Sequence, residues 1–198
     1  MNFNFESRRL ELQIATQCAP LLAGLKPSNL LIIPETEKDN LDKALKNTRL
    51  SYFRLSEKDG REVYLLYRVN KLVCYLTDRK VQELLQELGY TQPELPKLLK
   101  VIGEKYEAHQ TYGMEFPHEL GLVLGYPVVD VRGFMQNDGK NFLYSGYWKV
   151  YGNLKGARQL FKEFGRAKEL AIELALIGYG VADIVNYCQG RRALRPAV

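Results

Sequence analysis

The sequence predicts an α+β fold in which several helices cover a small mixed or antiparallel sheet. Short apolar or alternating runs bounded by turn residues, typical of strands, are interspersed with longer segments whose apolar residues recur every three or four positions, typical of amphipathic helices. At 198 residues, with 46% apolar and 26% charged residues, the chain is long enough to bury a core. Its apolar content is also too high for general disorder.

The first quarter of the chain predicts a helix, a strand and a second helix. Residues 6–23 place apolar side chains at helical spacing, with polar side chains on the other side. The continuous apolar run 29–33 predicts a buried strand, because such runs are typical of strands covered on both faces. Residues 36–48 predict the second helix, with Thr36 as its N-cap.

A β-hairpin is predicted over residues 51–55 and 62–68, because Asp59-Gly60 is a strong turn signal between aromatic and β-branched runs. Residues 70–76 fit either a short helix or a third strand, and we favour the helix. Two further amphipathic helices are predicted over residues 77–89 and 93–109.

Residues 116–151 carry the least ordinary pattern in the chain. Pro117 and Pro127 each suit the first position of a helix, where the missing N–H costs nothing. An aromatic strand over 142–151 follows, with apolar residues on both faces, so we expect it to be covered on both sides. Together with the strands at 29–33, 50–55 and 62–68 it would complete one sheet.

The C-terminal part predicts a long helical segment. Asn153 is the expected cap of a helix that Gly165 bends or divides, and a last helix is predicted over roughly 167–188. We therefore divide the chain into an α+β domain (1–165), a helical segment (166–190) and a basic tail (191–198). The helical segment would pack on the domain or on a second subunit, which leaves a homodimer open.

Charge and cysteine content limit the class of protein. Of the net charge of +5, residues 1–152 contribute +1 (20 Lys/Arg against 19 Asp/Glu) and residues 153–198 contribute +4 (8 against 4). A nucleic-acid binder usually has a denser basic stripe, so this class is an alternative that would use the basic C-terminal region. Three widely spaced cysteines, no signal peptide and no membrane span predict a cytoplasmic protein.

The candidate site combines His118 and Glu119, at a predicted helix start, with Gly146, Tyr147 and Trp148 of the aromatic strand. Helix N–H groups attract anions, and aromatic rings provide an apolar wall. These five residues are the predicted ligand-binding set, for a small anionic ligand or a partner protein. The alternative is a dense core in which the same residues only pack.

The second hypothesis for this region is that it is catalytic. His118 could act as a general acid or base with Glu119 beside it, but no second catalytic signal accompanies the pair, so we assign no catalytic residue and leave open whether the protein is an enzyme. No metal-binding spacing such as HExxH and no nucleotide-binding loop is present in the sequence. We therefore predict no metal site and identify no cofactor.

The central stretch resembles a bacterial, Firmicutes-type family of uncharacterised proteins known as a domain of unknown function. The resemblance rests on FPHELGLVLGYPVVDVRGF and GKNFLYSGYWKVYGN, with CAPLLAG (18–24) and KPSNL (26–30) upstream, and it covers most of residues 10–165. Ser145 stands where members of that family often carry cysteine, which argues against a thiol function there. The resemblance implies a coherent domain and no particular activity.

We rank a non-catalytic binding module acting through residues 116–151 first. An enzyme using His118 and a nucleic-acid-associated protein using the basic C-terminal region are the alternatives.

Overall fold

The computed structural model describes residues 9–91 and 94–193, with the backbone alone for residues 191–193. Within this part of the chain the fold is α+β, as the sequence predicts. The helices are α1 (Arg9–Leu22), α2 (Lys38–Leu45), α3 (Val69–Leu76), α4 (Arg79–Glu87), α5 (Leu95–Tyr112), α6 (Leu120–Val123), α7 (Val128–Gln136), α8 (Leu154–Leu176) and α9 (Val181–Ala193). The strands are β1 (Ser28–Pro34), β2 (Ser51–Lys58), β3 (Arg61–Tyr67), β4 (Tyr144–Ser145) and β5 (Lys149–Val150).

The chain divides into two compact units. The first unit contains the described residues up to Arg68 and those from Phe164 onward, and the second unit contains Val69–Glu163. Helix α8 contributes residues to both units. The domain boundary predicted at residue 165 stays a prediction, and the side chains of the predicted basic tail lie outside the described residues.

The first unit is built on a three-stranded antiparallel sheet with the order β1-β3-β2. The predicted turn between β2 and β3 is confirmed, since Asp59 and Gly60 both have positive φ values of 52° and 71°. Helix α1 packs on β1, and α9 packs on α1 and α2. The core between these elements is almost entirely aliphatic, with Ile14, Leu31 and Ile184 fully buried.

A charged side chain lies in this aliphatic unit. Lys26 is only 6% exposed and immediately precedes the residues that lead into β1. Burial lowers the pKa of its amine to about 8, because removing water disfavours the charged form. The Cys18 thiol is its electrostatic neighbour, and burial raises the pKa of that thiol to about 12. The Cys18 thiol therefore stays neutral far into the alkaline range, whereas the Lys26 amine is charged at neutral pH and loses its proton above about pH 8.

The second unit contains α3 to α7, the β4–β5 hairpin and the first turns of α8. The prediction of one long strand over 142–151 is wrong. The chain instead forms two two-residue strands that pair with each other and not with the large sheet. The prediction that both strand faces are covered is also wrong, because several of its large apolar side chains are exposed, namely Phe142, Leu143, Tyr144 and Tyr147. The tight Ser145–Lys149 pairing reverses the chain before a strand can extend.

Several helix boundaries differ from the sequence-based ones. Thr36 lies in a short 3-10 turn and does not cap α2, whose preceding residue makes no side-chain cap. The segment 69–76 is helical, and Asn153 caps α8 by accepting a hydrogen bond from the Gly156 N–H at 2.9 Å. Helix α8 continues without a break through Gly165.

The break in the C-terminal helical segment comes after Leu176, where Gly178 has a φ of 103°. Because a left-handed residue cannot continue an α-helix, α8 and α9 are separate helices. Leu176, Ile177 and Tyr179 around this break are exposed, and the predicted homodimer stays a prediction. No helix among the described residues combines the length and apolar character needed to cross a membrane.

Because the Lys26 amine is buried, the free energy of unfolding should change with pH in the alkaline range. The unfolded amine titrates near pH 10.4 and the folded one near 8, so between these values only the unfolded state holds the proton. The unfolding free energy therefore rises with pH in this window. Relative to Lys26→Met, the wild type should gain about 2 kcal/mol between pH 7.5 and 10, measured by urea unfolding. Lys97→Met, at an exposed position, is the control, and a pH-independent difference for Lys26→Met would contradict the prediction.

Candidate functional site

The centre of the second unit is the carboxylate of Asp130, in the first turn of α7. Asp130 is 4% exposed, yet both of its oxygens have donors. Oδ2 accepts a hydrogen bond from Trp148 Nε1 at 2.7 Å, and Oδ1 accepts from the backbone N–H groups of Tyr151 and Gly152 at 2.8 and 2.9 Å. A buried charge is stable only when it is compensated in this way. The carboxylate thus ties α7 to both ends of the segment 148–152.

Trp148 is enclosed by aromatic rings as well as bonded to Asp130. Its indole is 8% exposed, stacks on Tyr126 with a 5.0 Å centroid distance, and meets the Phe161 ring edge-to-face at 4.5 Å. Burial raises the pKa of the Tyr126 hydroxyl to about 12, so this ring is neutral. Such contacts add stability beyond the apolar area they bury. The Trp148 side chain therefore holds the hairpin in place.

Gly146 is required by the position of the Phe161 ring. A Cβ atom at residue 146 would collide with that ring, so only glycine lets the backbone of the hairpin come this close to α8. Tyr147 follows with its ring 5.4 Å from Phe161 and 39% of its surface exposed. Of the predicted ligand-binding residues, Gly146, Tyr147 and Trp148 are thus brought together around one phenylalanine.

His118 and Glu119 lie in a turn that precedes α6, and not in the first turn of a longer helix as predicted. Helix α6 has four residues, too few for the predicted helix-dipole site. The His118 ring is half-buried and contacts Phe116 at 5.9 Å and Phe134 at 5.6 Å. The rings around His118 are therefore not those around Trp148.

Glu119 belongs to a separate hydrogen-bonded group. Its carboxylate, 3% exposed, accepts hydrogen bonds from Tyr90 Oη at 2.5 Å and Lys105 Nζ at 2.7 Å, and Lys105 also donates to Tyr90 Oη at 3.0 Å. Burial alone would raise the pKa of Glu119, but the hydrogen bonds from Lys105 and Tyr90 outweigh burial and hold it below its ordinary value. Glu119 is accordingly a carboxylate at neutral pH.

A groove of about 1120 Å³ opens on another side of the second unit. Helices α3 and α4 form part of its lining through Cys74, Tyr75, Asp78, Lys80, Val81 and Glu83. Segment 127–151 supplies Pro127, Val128, Val129, Arg132, Gly133, Gln136, Asn137, Asn141 and Tyr151. None of the five predicted ligand-binding residues is among these described lining residues. The volume is slightly above the range of about 300–1,000 Å³ that is usual for small-molecule sites.

The groove is connected to the Asp130 network through Tyr151. The Tyr151 backbone N–H donates a hydrogen bond to Asp130. The Tyr151 ring occupies the space that a side chain at residue 133 would fill, so this packing requires Gly133. The Tyr151 hydroxyl is buried and has no hydrogen-bond partner among the residues that the structure describes. Sequence reasoning missed Asp130 and Tyr151, because a lone aspartate in an apolar helix and a tyrosine after a predicted strand carry no motif.

The charged side chains that line the groove differ in whether a neighbouring group neutralises them. Asp78 caps α4 by accepting hydrogen bonds from the N–H groups of Lys80 and Val81. Glu83 forms an ion pair with Arg79 at 2.8 Å, and Arg132 forms a two-pronged pair with Glu87. The exposed Lys80 amine, by contrast, makes no ion pair with any described residue. A positive charge without a counterion is therefore present at this groove.

A comparison with family models gives a match over residues 14–185, to a family described as a protein of unknown function, DUF3793. The chain belongs to the DUF3793 family. The match covers elements of both units of this DUF3793 member, from within α1 to within α9. Searches of curated proteins and of solved structures give no match. Among the residues that the structure describes, no three His, Cys, Asp or Glu side chains are grouped so that they could hold a metal ion.

Loss of the Asp130 charge should destabilise the second unit. Asp130→Asn keeps the shape but places an amide NH₂ against donors that need an acceptor, which should cost about 3 kcal/mol of unfolding free energy. Trp148 is the only tryptophan in the chain, so its fluorescence during urea unfolding reports on this contact directly. Asp138→Asn, in an exposed turn, is the matched control and should change stability by about 0.5 kcal/mol or less. Equal effects of the two substitutions would show that Asp130 does not have this structural importance.

The Glu119 group predicts a pH dependence of the same sign as that of Lys26, but in the acid range. Because the folded pKa of Glu119 is depressed, its contribution is complete above the ordinary glutamate pKa of about 4.3 and is lost as the pH falls through the folded value. Wild type should exceed Glu119→Gln by about 2 kcal/mol at pH 7, and the difference should shrink below about pH 4. Glu104→Gln, which loses only an exposed ion pair with Lys100, serves as the control. The prediction fails if the difference between wild type and Glu119→Gln is the same at pH 7 and pH 3.

Proposed function

We propose that this protein is a non-catalytic binding module that holds a small anionic ligand in the groove formed by segment 127–151 and helices α3 and α4. The observation that carries the proposal is the groove itself, whose size suits a small molecule and whose lining mixes apolar and polar side chains. Val81, Pro127 and Val128 supply apolar surface, whereas Gln136 and Asn137 supply amide groups that can donate and accept hydrogen bonds.

The preference for an anion follows from the charges around the groove. The acid Asp78 has backbone donors and Glu83 has Arg79, so neither demands a cationic ligand. The Lys80 amine makes no ion pair with a described residue, and a ligand carboxylate or phosphate would supply the missing charge. The ligand-binding set predicted from sequence stays a prediction. In the present proposal Trp148 contributes as a positioning residue, because it shares the Asp130 carboxylate with the Tyr151 backbone.

Cys74 provides a chemical handle for the test. It is exposed and lines the groove, whereas Cys18 and Cys188 are buried. A small disulfide that binds the groove before reacting will modify Cys74 at a rate that saturates with concentration, while a reagent that only collides with the thiol will show a linear dependence. Two disulfides of similar size, one ending in carboxylates and one ending in amines, separate charge recognition from simple access.

The carboxylate-bearing disulfide should modify Cys74 with saturation, and the amine-bearing disulfide should not, as measured by intact-protein mass spectrometry over time. Lys80→Gln should reduce the preference for the carboxylate probe several-fold, since about 1 kcal/mol of charge attraction corresponds to a factor of about five. Lys97→Gln, which removes an equal charge elsewhere on the second unit, should leave it unchanged.

Linear kinetics for both probes would contradict a binding groove. His118→Ala is a further comparison, because His118 does not line the groove and its loss should not alter capture at Cys74. Loss of capture in that variant would favour the site predicted from sequence over the groove.

A further inference from the structure

A second feature of the second unit is a segment over residues 139–162 that is basic, rich in aromatic residues and free of acidic residues. It contains five Lys or Arg residues and no Asp or Glu, so its net charge of +5 equals that of the whole chain. The cations are Lys140, Lys149, Lys155, Arg158 and Lys162. The aromatic residues are Phe142, Tyr144, Tyr147, Trp148, Tyr151 and Phe161. We call residues 139–162 the basic aromatic segment.

Three of the cations share one side of α8. Lys155, Arg158 and Lys162 are separated by three and four residues, which places them along one helical face, and all three are exposed. None of the five cations of the basic aromatic segment forms an ion pair with any other residue that the structure describes. The charges of the exposed α8 cations Lys155, Arg158 and Lys162 are therefore available to a partner in solution.

The exposed rings lie beside these cations. Tyr144 and Tyr147 are each 39% exposed and lie 6.2 and 5.4 Å from Phe161, so the hairpin rests on the same turns of α8 that carry the basic side chains. The Arg158 guanidinium lies 5.2 Å from the Tyr144 ring centre, and Lys149 Nζ lies 5.2 Å from that of Phe142. Each of these two pairs combines a positive charge with a flat apolar surface.

This arrangement favours one class of partner. Single-stranded nucleic acid presents one phosphate and one flat base per nucleotide, which matches alternating cations and aromatic rings. An acidic peptide would neutralise the cations, but its side chains do not in general stack on the exposed rings. We propose that the basic aromatic segment binds single-stranded nucleic acid, with phosphates at Lys155, Arg158 and Lys162 and bases stacked at Tyr144 and Tyr147. This surface overlaps the start of the basic region 153–198 noted in the sequence, through Lys155, Arg158 and Lys162, but it does not include the arginines of the basic tail.

The test uses the full chain and a fluorescein-labelled oligouridine 12-mer, with binding followed by fluorescence anisotropy. Binding should weaken on the order of ten-fold between about 50 and 200 mM salt, as expected for neutralisation of about three phosphates. The double variant Lys155→Gln/Arg158→Gln should weaken binding at least about ten-fold and reduce the slope of log affinity against log salt by about 1.4. Lys97→Gln/Lys100→Gln removes the same charge from α5 and should leave affinity within about two-fold.

Aromatic stacking has its own pair of variants. Tyr144→Ala should weaken binding by on the order of ten-fold, whereas Tyr144→Phe, which keeps the ring, should bind like wild type. Absence of saturable binding, an equal loss in the α5 control, or equally tight binding of a polyglutamate peptide would overturn the proposal. Loss of binding with Arg191→Gln/Arg192→Gln in place of the α8 variant would also overturn it, since it would assign binding to the C-terminal residues.

Discussion

Compensation of one buried carboxylate determines the arrangement of the second unit. Asp130 occupies an apolar helix, and its charge would be costly there without donors. Its three donors come from the indole of Trp148 and from two successive backbone N–H groups at Tyr151 and Gly152. Because each donor must reach the same two oxygens, the chain from 148 to 152 has little conformational freedom. This constraint fixes the positions of both the groove wall and the hairpin.

The buried contacts that hold the β4–β5 hairpin also explain why several of its aromatic side chains can remain exposed to solvent. The β4–β5 hairpin has only two residue pairs, and an isolated hairpin of this size is unstable in water. Here Trp148 is buried under it and Phe161 supports it, so the hairpin does not need to bury Phe142, Tyr144 or Tyr147. Exposed rings on a fixed support are suited to binding because little conformational entropy is lost when a partner arrives.

The pKa values of two buried ionisable groups, one in each unit, are lowered for different reasons. Glu119 keeps its charge because Tyr90 and Lys105 donate to it. Lys26 lies in an aliphatic unit where desolvation dominates, and its amine releases its proton at an unusually low pH for lysine. Burial lowers the pKa of Lys26, whereas hydrogen bonds lower the pKa of Glu119 against the effect of burial.

Sequence periodicity predicted the first unit well because its elements are long and regular. The Asp59-Gly60 turn and the apolar run before Pro34 placed the three strands to within about three residues at each end, since both patterns act locally, but the fourth strand predicted for this sheet is not part of it. Membership of a family of unknown function is likewise confirmed, by a match along most of the chain. The strand prediction for the aromatic run 142–151 was wrong, because alternation along a sequence cannot reveal a chain reversal that depends on distant residues, here Asp130 and Phe161.

The candidate site was harder to predict for the same reason. His118 and Trp148 are noticeable in the sequence as rare residues, but rarity does not fix which rings become neighbours. The groove is lined by ordinary valines, amides and a lysine drawn from segments about fifty residues apart, and its shape arises only from packing. Asp130 carries no signal beyond being the one acidic residue in a largely apolar helix.

The collision between a Cβ at position 146 and the Phe161 ring has an evolutionary consequence. Two positions fifteen residues apart share one volume, so neither can change in size alone without separating the hairpin from α8. Across DUF3793 homologues, substitutions at these two positions should be correlated, with any gain in bulk at the glycine accompanied by a smaller ring or an aliphatic residue on the helix.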